Sequence, residues 1–206
     1  MHTQVAPTGS RRRLPRAERH AQLIATARAL IQAAGSDEFT LGRLATAAGV
    51  AKPVVYDHFG DRAGVFVELY EEFEARQRET LRASLDGAVD DLELVCELVA
   101  SAYVDCWLAE GREMSSVVAA LAGSPELERL RDDAERGYIT ICQDALEPMV
   151  GRLDDARMRA VVGAGDALAR DVLTGTIEAD RARHVLAAVA VAMATGPSAS
   201  SEEVRS

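Results

Sequence analysis

Long apolar runs, paired cysteines and lysine are what this sequence has least of. Its longest unbroken apolar stretch, Val185 to Ala194, is 10 residues, against the ~20 needed to cross a bilayer. No membrane span is therefore expected. The Arg-rich first twenty residues hold no apolar segment of the roughly 7–15 residues that a secretory signal needs, which leaves the cytoplasm as the expected compartment. With 15 Gly and 6 Pro in 206 residues, collagen-like and low-complexity classes are excluded. Three cysteines are too few for a disulfide scaffold. Cys96 and Cys106 fall in one helical pattern, about 15 Å apart along its axis, too far to be bridged within a straight helix, and Cys142 leaves an odd count. There is no Cys-x-x-Cys, and none of the four histidines is spaced to join a cysteine. Buried thiols are expected, with no metal site and no cofactor. Nothing resembles a nucleophile–base pairing or a Gly-rich phosphate loop.

What is present is an ordinary globular composition, 48% apolar and 27% charged. The length allows one sizeable domain, or a small module joined to a larger one. A formal charge of −10 argues at first against a nucleic-acid partner, because affinity for phosphate backbones comes from Lys and Arg displacing counterions. The average conceals a division. Residues 1–62 carry nine basic and five acidic side chains, whereas residues 63–206 carry 14 and 28. A +4 head adjoins a −14 body, and such asymmetry points to a polyanion met by the head alone.

Apolar periodicity predicts an all-α chain of about nine helices and no strand of alternating polarity. Residues 1–15, with the triplet Arg11-Arg12-Arg13, read as a disordered basic arm. After Pro15, Leu23, Ile24, Ala27, Leu30, Ile31 and Ala34 trace one helix face up to Gly35. Thr40 is an N-cap for a short helix with Leu41, Leu44, Ala45 and Ala48 inward, and Gly49 ends it. Pro53 fits the first turn of a third helix running to Phe59. Gly60 breaks it, and Asp61 caps a fourth pattern with Val65, Phe66, Leu69, Tyr70 and Phe73 inward. Further patterns run from about Val89 to Glu110, ending at Gly111, and from about Arg112 to Ala122. Ser124-Pro125 opens a helix to about Val150 that Pro148 should kink or finish. Two more run from Asp154 or Asp155 to about Thr174 and from Asp180 to Thr195, before a Ser/Glu tail over 198–206 that reads as disordered.

Residues 41–60, LGRLATAAGVAKPVVYDHFG, carry the spacing of a helix-turn-helix. Ala45 is small where two helices cross, Gly49 tolerates the positive φ of the tight turn, and Val55 turns inward from the second helix. The stretch from Lys52 through Tyr56, His58 and Phe59 to Gly60 and Arg62 resembles the recognition-helix signature of the TetR family of bacterial transcriptional repressors. The likeness covers residues 16–73; beyond them it rests on helix count and chain length.

The resemblance implies a DNA-binding unit over 16–62 and an effector-binding and dimerisation unit over 63–197. Lys52 can reach a phosphate or a guanine edge, and Pro53 and Val54 present apolar surface to thymine methyls. The resemblance places Tyr56 and His58 on phosphates too. Thr40 and Arg43 stand at a helix N-terminus that favours phosphate, and Arg62 meets the backbone from the fourth helix. Arg43 and Arg62 could instead pair with Asp37 or Asp61. Gly42 and Val54 occupy positions where many relatives carry polar side chains, so shape readout gains weight. The expected partners are double-stranded operator DNA, a second copy joined through the last two long helices, and a small apolar or amphipathic effector. The helix from 180 to 195 is apolar almost all round, and Gly163, Ala164 and Gly165 would permit close helix approach. Candidate residues for the effector pocket are Val95, Leu98, Tyr103, Cys106, Trp107, Met114, Val118, Tyr138 and Cys142, and Asp132, Asp133, Glu135 and Arg136 read as a solvated face. The competing reading is an all-helical apolar-ligand carrier or enzyme whose N-terminus only looks like a DNA head.

Overall fold

The computed structural model describes residues 14–87 and 90–196, apart from the side chains of residues 111 and 112. The Arg triplet and the tail over 198–206 lie outside these residues. Eight α-helices and no strand are present among them: α1 (Arg16–Ala34), α2 (Leu41–Ala48), α3 (Lys52–Phe59), α4 (Arg62–Leu85), α5 (Leu92–Leu121), α6 (Pro125–Val150), α7 (Asp155–Leu173) and α8 (Ala179–Thr195).

Local chemistry sets most of these boundaries. Thr40 accepts a hydrogen bond from Arg43 N at 3.2 Å, and Asp61 and Asp91 cap α4 and α5 in the same way, from Gly64 N and Leu94 N. Gly49 ends α2 in the left-handed region, with φ 66, which a side chain would resist. Pro148 sits in the last turn of α6, which closes two residues later. One boundary differs from the periodicity. Gly111 does not stop a helix: the patterns on either side of it form the single 30-residue α5. A glycine inside a helix loses only about 1 kcal/mol relative to alanine, and α5 is packed by α4, α6, α7 and α8 along its length.

Two apolar clusters fill the molecule. One joins α1–α4 to the second half of α5, through Cys106, Met114, Val117 and Leu121, and to Leu127 of α6. The other joins α5 to α6, α7 and α8. Trp107 packs against both, with its ring 4.8 Å from that of Phe73. The core of the head therefore runs without a break into the body, and α4 and α5 are the shared elements. The three cysteines are free and buried. Burial pushes the Cys96 thiol up to about 11 and those of Cys106 and Cys142 up to about 12, which keeps them protonated and inert.

Candidate DNA-binding face and ligand cavity

α3 is two-faced. Val55 and Phe59 are buried at 0% and 7% exposure, whereas Tyr56 is 53% exposed. Lys52 and Pro53 are exposed beside Tyr56, and Val54 is half-buried. A Cβ built on Gly42 would lie 3.4 Å from Lys52 Cε, so the lysine stem crosses the bare backbone of α2. Lys52 thus spans the two motif helices, a placement for which Gly42 is the sequence signal. The following turn is tight. A Cβ on Gly64 would sit 2.1 Å from the carbonyl oxygen of Phe59, so only glycine lets α4 start this close to the end of α3.

The other residues expected on DNA have protein partners. Arg43 Nη1 donates to the Glu38 carbonyl at 2.7 Å and to its carboxylate at 2.9 Å, so its acidic neighbour is Glu38 and not Asp37. Arg62 donates to the Ser36 carbonyl at 2.6 Å, and its guanidinium lies 4.8 Å from the centre of the Phe66 ring. It ties the loop before α2 to the start of α4. Packing against Phe66 takes the side chain inward, away from the exposed face of α3. His58 faces another imidazole: its Nδ1 is 3.1 Å from His20 Nδ1, and His20 Nε2 is 2.6 Å from a Glu68 carboxylate oxygen. Desolvation first, and then the charge that His20 carries when protonated, lower the pKa of His58. When both rings are neutral and His20 Nε2–H donates to Glu68, His20 Nδ1 is an acceptor and His58 Nδ1 holds the proton between the rings. A neutral His58 then has an acceptor, not a donor, at Nε2. His20 and Glu68 carried no sequence signal for this contact.

The body encloses a cavity of about 430 Å3 between α4, α5, α6 and α7. Four of the residues expected to line it do so: Tyr103, Trp107, Val118 and Tyr138. The other five require correction. Val95 and Cys142 are buried in the body cluster, Cys106 and Met114 in the cluster shared with the head, and half-buried Leu98 lies off the cavity wall. α5 is covered on several sides, so its apolar residues point in several directions and composition alone does not select the cavity face.

The cavity is more polar than that candidate set. α4 contributes Tyr70, Glu74 and Gln77, α6 contributes Arg131 and Glu135, and α7 contributes Asp166 and Arg170. Tyr103 Oη donates to Asp166 Oδ1 at 2.7 Å, and Arg131 stands 3.6 Å from the same carboxylate. Tyr70 hydrogen-bonds Glu74, whose pKa is raised chiefly by burial. Glu135 belongs to this wall, unlike its exposed neighbours Asp132, Asp133 and Arg136. The sequence did carry a signal: Glu74 and Gln77 follow Tyr70 at i+4 and i+7, on the face already marked as inward. Gly165 is also used internally, since a Cβ there would lie 2.7 Å from the Tyr103 ring, whereas nothing lies within 4 Å of Gly163.

Residues 23–69 match the family described as bacterial regulatory proteins, tetR family. No curated relative matches the chain. Among solved structures, a TetR-like transcriptional regulator from Rhodococcus sp. RHA1 is 24% identical, with 90% of this chain and 100% of that one aligned and a TM-score of 0.67. The fatty acid degradation regulator FadR from Bacillus halodurans is 20% identical, over 86% and 95% of the two chains, with a TM-score of 0.65. A regulator of the TetR/AcrR family from Thermobifida fusca is 20% identical, over 84% and 97%, with a TM-score of 0.66. Residues 23–69 thus match the tetR-family model, and the whole chain has the all-α fold of these regulators. No described helix is long and apolar enough to cross a membrane.

Proposed function

We propose that this protein is a ligand-responsive transcriptional repressor that binds operator DNA as a homodimer and leaves it when a small molecule enters the body. The observation that carries the reading is α3, which buries Val55 and Phe59 and leaves Lys52, Pro53 and Tyr56 exposed together on a tetR-family head. These three residues, with Thr40 at the positive end of α2, form the DNA face. Val54 adds apolar contact, His58 and Arg62 support the face through His20, Ser36 and Phe66, and Arg43, exposed beside Glu38, flanks it.

A head this small reads few base pairs, so two copies are required. The support for a dimer is α7 and α8, where Leu168, Val189, Val191 and Met193 stay only partly buried in one chain. Ligand control runs through α5 and α4. Arg28 of α1 and Arg76 of α4 both bind Glu110 of α5, at 2.9 and 2.7 Å, and Ser36 Oγ donates to the Ser116 carbonyl at 3.2 Å. An effector that favours a different setting of α4 against α5 rotates the head, provided it binds that state more tightly.

The test is selection of bound fragments from genomic DNA, followed by titration against the recovered site at several salt concentrations. Two half-sites on one face of the duplex and a steep loss of affinity with salt are expected. A chain that recovers no sequence above background does not have this function.

A further inference from the structure

The wall of the cavity contains donors that the protein leaves without a partner and a carboxylate that no described cation pairs. Gln77, only 4% exposed, and Trp107 both line it. Gln77 Nε2 and Trp107 Nε1 are buried with no hydrogen-bond partner among the described residues. Buried N–H groups are rarely left unpaired; Arg62 Nε and Arg76 Nη2 are unpaired elsewhere among the described residues, and Gln77 and Trp107 are the two such residues in the cavity wall. Glu74 stands one turn from Gln77 on the same face of α4. It shares a hydrogen bond with Tyr70 but makes no ion pair with any described residue. Asp166, across the cavity, has Tyr103 and the more distant, half-exposed Arg131.

The aromatic side chains point the same way. The chain has one Trp and four Tyr, and Trp107 with Tyr70, Tyr103 and Tyr138 line this one cavity. Their ring faces carry negative potential and attract cations. The volume falls within the ~300–1,000 Å3 of small-molecule sites.

We propose that the cavity takes an amphipathic organic cation, with a cationic nitrogen facing Glu74 and Asp166, an aromatic or alicyclic body among the tyrosines, and a carbonyl-type acceptor on Trp107 and Gln77. This rests on the cavity being the effector site. An anion is disfavoured by position: Arg131 is already shared with Asp166, Arg170 is exposed, and an anion reaching the two N–H donors would meet Glu74. An uncharged hydrocarbon would leave the donors and the carboxylate unmet.

The test uses three probes on one aryl-ketone scaffold: a trimethylammonium, its uncharged tert-butyl isostere and the corresponding carboxylate. Binding to the full chain is followed by calorimetry and by the fluorescence of Trp107, the only tryptophan. The cation should bind at least about tenfold more tightly than the isostere and quench Trp107. Its affinity should rise with pH as Glu74, with Arg78, Arg131 and Asp166 around it, becomes ionised. Glu74→Gln, with circular dichroism confirming the fold, should bring cation and isostere to within about twofold. Asp166→Asn provides a second variant if Glu74→Gln does not fold, and should narrow the same gap. A carboxylate that binds best, an isostere equal to the cation on the parent chain, or no binding by any probe overturns the proposal. Operator release is measured separately: a cation that binds in the cavity but leaves the operator complex intact sustains the site and refutes the effector role.

Discussion

Head and body place their polar side chains in opposite ways. In the head, the buried layer is Leu, Ile, Val, Phe and Ala with Ser36 and the inward-turned Arg62 at its edge, and the groups available to a partner stand outside it on α2 and α3. In the body, Gln77, Glu74, Trp107 and Asp166 turn inward around a space that no described side chain fills. The head resembles a finished surface, whose affinity depends on holding a few exposed residues still. The body is preorganised but incomplete, since buried donors without partners destabilise it until a ligand supplies them. Sites that respond to ligands are drawn from such less stable regions, whereas a DNA-reading surface requires rigidity.

Five substitutions probe this contrast, and the largest effect belongs to the head. Gly64→Ala places a Cβ against the Phe59 carbonyl, 2.1 Å away in the present backbone. It should lower stability by about 2–3 kcal/mol and abolish operator binding, as read by thermal melting and gel shift. A variant that melts and binds like the parent would mean the α3–α4 turn is not rigid. Next, Lys52→Ala and Tyr56→Ala should each weaken operator binding by about 1–3 kcal/mol with helicity unchanged, and Lys52→Ala should reduce the salt slope by about one. Unchanged affinity in both would move the DNA face elsewhere.

A smaller effect is expected at the junction. Glu110→Gln removes the shared anion of Arg28 and Arg76, and should reduce the coupling between cavity and operator by about 0.5–2 kcal/mol. The measurement is operator affinity with and without a cavity ligand. Equal ratios in variant and parent would remove Glu110 from the route.

The smallest effect concerns His58. Its folded pKa lies below that of the unfolded chain, so unfolding takes up a proton and its contribution is present above about 6.5 and lost as pH falls below it. The melting temperature should fall between pH 7 and pH 5.5 by more in the parent than in His58→Asn. An identical pH dependence would show that the His20–His58 contact carries no proton linkage.

The fold was largely legible because its signals are local. Caps at Thr40 and Asp61, the turn at Gly49 and the apolar stripes each act within a few residues, so α1 to α4 can be placed from the chain alone. The joined α5 was not legible: Gly111 has the chemistry of a stop, but its cost of about 1 kcal/mol is small beside the packing of a 30-residue helix against α4, α6, α7 and α8. At the cavity, Tyr103, Trp107, Val118 and Tyr138 belonged to a set of apolar residues with a few polar tips. Val95, Cys106, Met114 and Cys142 belonged to the same set and went to the core, because α5, covered by four other helices, has no single inward face and α6 turns Cys142 into the body cluster.

What the sequence by itself determined is the class of helices, the helix-turn-helix with its two-faced third helix, and the division of charge between a basic head and an acidic body. Periodicity, capping and charge count are properties of short stretches or of simple sums, so they survive without coordinates. Only the tertiary structure decided that Arg62 turns inward to Ser36 and Phe66, that Gly165 admits Tyr103, and that Glu74, Gln77, Trp107 and Asp166 share one cavity. Those residues are far apart in the chain, and their meeting depends on how four helices pack. The same packing also decides which buried polar atoms have a partner.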